Sequence, residues 1–225
     1  MNAASARRLT AEFLGSAGLA TVVIGSGIMG ASLTADTGLA LLINSIATAF
    51  GLAVLILAYQ TVSGAHFNPV VSLVDAALGY RGWGDVARYI PAQVIGCLAG
   101  AVVANLMFAL PAATWSTTDR ATPAHLLAEV VATAGLVGLI FALARTGRAA
   151  WAGPAVGAYI GAAYFFTSST SFANPAITVG RMISDTFAGI APASVLPYIG
   201  AQLVGAAIAL VVVRFLFPKP LPHAP

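Results

Sequence analysis

Two Asn-Pro pairs, Asn68-Pro69 and Asn174-Pro175, lie 106 residues apart at matching places in the two halves of this chain. Each closes a short run of polar or small residues and opens a brief apolar stretch, 70–78 in one half and 176–183 in the other. Asn is among the best helix N-caps, and Pro at the first helical position loses no hydrogen bond and has its φ already set. Each pair therefore predicts a helix start. Those helices are too short to cross a bilayer: residues 69–79 reach roughly 16 Å at 1.5 Å per residue, about half of a ~30 Å hydrocarbon core.

The rest of the chain belongs in a membrane. Charged residues make up 8% of it and hydrophobic residues 59%, against roughly 25% charged in soluble domains. Six segments are long and apolar enough to span: 9–30, 39–60, 86–109, 124–145, 151–168 and 195–217. Residues 1–10 hold Arg7 and Arg8 but no small-residue cleavage site, so the first apolar run is expected to stay as a span. If the spans alternate, Arg7, Arg8, Arg81, Arg88, Arg145, Arg148, Arg214 and Lys219 share one side, and Arg120 and Arg181 take the other. The excess of positive charge puts both termini in the cytoplasm. The lone Cys97 excludes an intrachain disulfide and reads as a packing residue.

The halves repeat. Ala11-Glu12 recurs as Ala128-Glu129, and the segment Tyr89 to Gly96 recurs as Tyr198 to Gly205 with Tyr, Ile, Ala, Gln and Gly in register. Three spans per half is an odd number, so the second copy must be inverted. The expected architecture is an all-α membrane protein, one channel domain over 1–225 with repeats at about 9–109 and 124–217. It has six transmembrane helices and two re-entrant half-helices whose capped N-termini meet near the midplane, with the substrate path at the repeat interface. An Asn in the bilayer core is costly unless it lines a wet cavity. Once its oxygen caps the helix, its amide N–H₂ is left to face that cavity as a donor. The half-helix N-termini add about half a positive charge each, which opposes cations and not neutral solutes.

The run Ser-Gly-Ala-His-Phe-Asn-Pro-Val at 63–70 and Ser-Phe-Ala-Asn-Pro-Ala at 171–176, set in six inverted spans, resembles the major intrinsic protein family, the aquaporins and aquaglyceroporins. The likeness covers residues 9–217. It implies a homotetramer in the lipid bilayer with one pore per subunit, the pore midplane being Asn68, Pro69, Val70, Asn174, Pro175 and Ala176. It also implies a narrow filter on the outer side. Val70 stands where Ala is usual, and Ile177 stands where that family commonly has Arg. The filter is therefore expected to lack its fixed cation, as in channels similar to those of some bacterial arsenic-resistance operons.

By family spacing the filter ring is Phe50, Ala162, Ser171 and Ile177, with Thr48 as the ungapped alternative to Phe50. Arg181 falls one turn beyond Ile177, at the vestibule, where Asp185 four residues on makes a surface ion pair the favoured reading. His66 is expected to line the pore beside Asn68. The family assigns Glu12 and Glu129 to supporting the re-entrant loops, with Gln93 and Gln202 as further holding residues. No metal-ligand spacing surrounds His66, no nucleophile–base constellation or cofactor motif appears, and the cations form no nucleic-acid patch.

The sequence thus points to a passive channel, not an enzyme, in a bacterial cytoplasmic membrane. Its partners are small neutral solutes: glycerol, arsenous acid and related arsenicals, and water. A water-selective channel with an unusual filter is the alternative. An alternating-access transporter would need a coupling-ion site, for which only Glu12 and Glu129 are available within spans.

Overall fold

The computed structural model describes residues 2–218. Lys219, counted above among the cytoplasmic cations, lies outside the described residues. Within them the chain forms eight α-helices: α1 (Ala3–Leu33), α2 (Thr37–Ser63), α3 (Pro69–Ala77), α4 (Trp83–Met107), α5 (Pro123–Arg145), α6 (Ala152–Phe166), α7 (Pro175–Arg181) and α8 (Pro192–Leu216). Of these, α1, α2, α4, α5 and α8 are long and apolar enough to cross a membrane. The fifth expected span, 151–168, is shorter than read. A 3-10 turn, Ala149–Trp151, leads into α6, whose 15 residues reach about 22 Å. The helix stops where Thr167 turns extended, and the Thr167 hydroxyl donates to the Ala163 carbonyl at 2.6 Å.

Local chemistry sets the other ends. Asp36 accepts from Leu39 N–H, Thr122 accepts from His125 N–H, and Gly64 ends α2 at a φ of 92°. The half-helices begin as their caps dictate. Asn68 Oδ1 accepts from Val70 N–H at 3.1 Å, and Asn174 Oδ1 accepts from Ala176 N–H at 2.9 Å and Ile177 N–H at 3.3 Å.

Helices α1, α2 and α4 pack together in the first half and α5 packs on α8 in the second, while α2 meets α6 across the two. Lipid gives no hydrophobic drive between spans, so close backbone approach through small residues has to hold them. A Cβ on Gly96 would sit 2.5 Å from the Phe13 carbonyl oxygen, and one on its repeat partner Gly205 would sit 2.5 Å from that of Val130. The same holds for Gly100, at 2.1 Å from the Ala17 oxygen, and Gly157, at 2.4 Å from the Ala49 oxygen. The glycine shared by the repeats is therefore a helix-contact position.

Gly100→Val is expected to wedge α4 off α1, costing roughly 3 kcal/mol because backbone cannot move aside as a side chain does. Monodisperse protein extracted in mild detergent should fall steeply. Gly84→Ala, where an added Cβ meets nothing within 4 Å, should leave the yield unchanged. Equal yields for the two variants would contradict this packing account.

Candidate functional site

The two re-entrant loops are held by one device, used twice. Glu12 on α1 is fully buried. Its Oε1 accepts from the Ser63 hydroxyl (2.6 Å) and His66 N–H (3.0 Å), and its Oε2 accepts from Phe67 N–H (2.8 Å) and Gln93 Nε2 (2.8 Å). Glu129 on α5 repeats the set with the Ser169 hydroxyl (2.7 Å), Phe172 N–H (2.9 Å), Ala173 N–H (2.9 Å) and Gln202 Nε2 (2.6 Å). Each Gln also donates to a hydroxyl on its half-helix, Ser72 or Thr178, at 3.0 Å. Those hydroxyls in turn donate to the Asn68 and Asn174 carbonyls, at 3.2 and 2.8 Å.

This support lets the loops adopt backbone that L-residues avoid. Ala65 and Phe67 have φ of 49°, and Ser171 and Ala173 have φ of 51° and 47°. Such residues cost about 1 kcal/mol or more each unless their surroundings over-determine them. Two buried carboxylates with four donors apiece do so.

The half-helices meet head to head through their caps. Asn68 Nδ2 donates to the Ala173 carbonyl and Asn174 Nδ2 donates to the Phe67 carbonyl, each at 2.8 Å. One amide hydrogen of each Asn is thus taken by the opposite loop, which the sequence did not reveal. The second has no protein partner among the described residues, and both side chains border a cavity of about 60 Å³. Aliphatic side chains from α1, α2, α5 and α6 form its other wall, among them Val23, Leu52, Ile56, Ile140, Val156 and Ile160. Ser171 lines the same space, and its Oγ is buried with no hydrogen-bond partner among the described residues. Towards the end of the bundle that carries the termini, the cavity widens into a vestibule of about 450 Å³ that shares Ile56, His66 and Val71 with it. There His66 Nδ1 lies 2.9 Å from the Ser72 hydroxyl, and Asp75 pairs with Arg81 at 2.9 Å.

At the opposite, distal end the structure corrects three expectations. Phe50 is 70% exposed on the outside of α2 and does not border the cavity. Ala162 is exposed on the outside of α6. The reason is rotation. Two residues turn a helix by about 200°, so a register read two residues off selects the opposite face. The cavity faces are Thr48, Leu52 and Ile56 on α2, and Val156, Ile160 and Tyr164 on α6, each at spacing four. Thr48, the ungapped alternative, bonds the Tyr164 hydroxyl at 3.1 Å across the distal end of the cavity.

The third correction concerns charge. Arg181 forms no surface pair with Asp185: α7 ends at Arg181, so Asp185 lies in the following loop, where Oδ1 accepts from Thr117 N–H and its hydroxyl at 2.9 and 3.1 Å. Arg181 is instead 3% exposed and borders the cavity. Its Nε donates to the Ala188 carbonyl, and its guanidinium carbon lies 3.4 Å from the centroid of the Phe172 ring. Arg120, from the loop before α5, stands over the same ring at 5.3 Å, anchored by Nε to the Gly189 carbonyl (2.7 Å) and Nη2 to that of Phe187 (3.3 Å).

Neither cation makes an ion pair among the described residues. Asp119, beside Arg120, is engaged by the Ser194 hydroxyl at 2.6 Å, which holds its carboxyl below the usual range. The distal end therefore keeps fixed positive charge despite Ile177, which is buried against the cavity. Tyr164 and Arg120 had no motif to announce them, and Phe172 lies within the second motif with nothing there to mark it as a seat for two cations.

The sequence matches the family described as major intrinsic protein over residues 1–173. It is 48% identical over 218 residues to Aquaglyceroporin AqpS of Rhizobium meliloti (strain 1021), covering 96% of this chain and 92% of that protein. Its identity to Putative aquaporin NIP4-1 of Arabidopsis thaliana is 37% over 143 residues, 60% of this chain and 50% of the plant protein. The fold matches the X-ray structure of the aquaglyceroporin from Plasmodium falciparum with a TM-score of 0.73 over 95% of this chain and 97% of that one. At 18% identity that likeness speaks for the fold alone, an aquaporin-like inverted repeat. With the family matched over most of its length and a relative nearly half identical from end to end, this chain belongs to the major intrinsic protein family of multi-pass membrane channels for small neutral solutes.

Proposed function

We propose that the channel conducts small neutral polyhydroxy solutes, glycerol and arsenous acid with related arsenicals, together with water, passively and in both directions. One observation carries this reading: the cavity has a polar line on one side and an aliphatic wall on the other. The second amide hydrogens of Asn68 and Asn174 offer hydrogen bonds along one side. A solute with several hydroxyls can trade water for them while its less polar face slides along Leu52, Ile56 and Ile160. Desolvation repaid by a few placed groups is how such pores select. Arg181 and Arg120, with the two half-helix N-termini, oppose cations.

In this reading the constriction is Thr48, Tyr164, Ser171, Ile177 and Arg181, and the midplane is the two Asn-Pro motifs. The protein sits in a bacterial cytoplasmic membrane with both termini inside, as the placement of Arg7, Arg8, Arg81, Arg88, Arg145, Arg148 and Arg214 favours. It assembles as a homotetramer with one pore per subunit. A water-selective channel is the second reading, favoured by the Thr48–Tyr164 contact and Arg181 narrowing the distal end.

Stopped-flow swelling of proteoliposomes in glycerol, arsenous acid and water separates the two readings. Solute flux well above that of empty vesicles supports the first, and water flux alone supports the second. Ala162→His, on the outer face, should leave the glycerol-to-water ratio unchanged, whereas Tyr164→Ala should raise it by widening the distal end. A ratio that moved with Ala162 and not with Tyr164 would contradict the assigned faces.

A further inference from the structure

At the end of the bundle carrying the termini, a cleft of about 500 Å³ opens between the last turns of α5 and α8 and the C-terminal end of α3. Among the described residues its lining is Ala77, Leu78, Gly79, Arg145, Arg214 and Pro218, two guanidinium groups and no carboxylate. Neither arginine makes an ion pair among the described residues. Each is pinned to the wall by a main-chain carbonyl: Arg145 Nη1 donates to Phe217 (2.6 Å) and Arg214 Nη2 donates to Ala77 (2.7 Å). The Arg145 guanidinium also lies 5.6 Å from the Tyr80 ring centroid, and its Nε is buried with no partner. A guanidinium carries five donors, so both keep donors to spare, already oriented and without an anion.

The cleft also adjoins exposed apolar surface. Phe215 and Leu216, next to Arg214, are 82% and 58% exposed at the end of a membrane-spanning helix. Exposed apolar side chains and two cations therefore lie side by side, the pairing of surfaces that an acyl chain and a charged headgroup require. This contrasts with the other charged clusters. Arg81 is paired with Asp75, and Arg181, which shares the Phe172 ring with Arg120, borders the central cavity.

We propose that this cleft binds a phosphate group, that of an anionic phospholipid headgroup, between Arg145 and Arg214. Arginine forks match phosphate oxygens with charge-assisted bonds, and basic pockets between helices at the cytoplasmic interface suit anionic headgroups. Because Arg214 also holds Ala77, the last residue of α3, the bound headgroup steadies the half-helix that carries Asn68. The site is separate from the lumen, so it does not depend on which solute passes.

The test is thermal unfolding and native mass spectrometry of the intact protein in neutral detergent with added phosphatidylglycerol, phosphatidylcholine or inorganic phosphate. Phosphatidylglycerol is expected to raise the melting temperature by several degrees and to stay bound where phosphatidylcholine is lost. Arg214→Gln and Arg145→Gln should each weaken retention about fivefold, the weight of one basic residue near an anionic lipid. Arg148→Gln, outside the cleft, should keep it. If Arg145→Gln does not fold, the exposed Arg214 variant carries the test. Equal protection by inorganic phosphate, lost in Arg214→Gln, would support the phosphate site and overturn its assignment to lipid. Equal phosphatidylglycerol retention by wild type and Arg214→Gln, or an equal loss in Arg148→Gln, would overturn the site itself.

Discussion

Replacing Glu129 with alanine is expected to abolish folded, conducting protein. The carboxylate accepts four hydrogen bonds inside the bundle: two from backbone N–H groups of the loop before α7, one from Ser169 and one from Gln202. Water cannot readily replace it at a fully buried position. Each donor left unpaired there costs about 1–3 kcal/mol, so the sum reaches the whole stability of a typical domain, about 5–15 kcal/mol. The left-handed residues Ser171 and Ala173 lose their support at the same time. Detergent-extracted Glu129→Ala should aggregate or show a melting temperature far below wild type. Glu12→Ala should behave alike, since Ser63, His66, Phe67 and Gln93 stand around it as the matching residues do around Glu129. A stable Glu129→Ala variant with normal flux would show that the loops hold themselves.

Replacing Arg181 with leucine has the second largest expected effect, and it falls on selectivity instead of folding. The guanidinium is a fixed charge bordering the cavity, with no carboxylate paired to it among the described residues. At roughly 6 Å and an effective dielectric of about 20, its repulsion of a passing cation is about 3 kcal/mol, on the order of a hundredfold in flux. Arg120 retains part of the barrier, so the leak should be large but partial, and the double variant should leak more. Voltage-driven current in planar bilayers measures it. Neutral solutes should pass at least as fast, because Leu is shorter than Arg and asks for no desolvation. Unchanged current at normal protein density would place the cation barrier at the half-helix ends alone.

What was legible in the sequence was the chemistry that acts locally. A cap such as Asn68 or Asn174 declares its helix from two residues, and Glu12 and Glu129 stand out because carboxylates are rare within spans. Gly96 and Gly205 recur in register because each faces a backbone oxygen. What failed was register at a distance. Ala162 is reached by counting back from the second Asn-Pro motif and misses the cavity face by two residues, whereas on α2 the ungapped count gives Thr48, which faces the cavity, and only the two-residue gap assumed for Phe50 turns the register outward. Two residues are more than half a turn, so a small error in loop length became an inversion of faces. Periodicity does not decide the face either, because the outward line Ala158, Ala162 and Phe166 on α6 is as apolar as the cavity line Val156, Ile160 and Tyr164.

Arg181 illustrates a different limit. Its pairing with Asp185 assumed that the helix continued, whereas α7 ends at Arg181 itself and the side chain folds back over Phe172. Arg120 reaches the same ring from a loop outside the second repeat, a meeting that no local pattern encodes.

The most direct test of the account puts neutral-solute flux and ionic leak in the same vesicles. Proteoliposomes holding the wild-type chain should admit glycerol well above the empty-vesicle rate while a trapped pH dye reports proton entry no faster than in empty vesicles. The half-helix ends, Arg181 and Arg120 predict that separation. Glycerol entry at the empty-vesicle rate, or proton entry rising in step with glycerol, would contradict it.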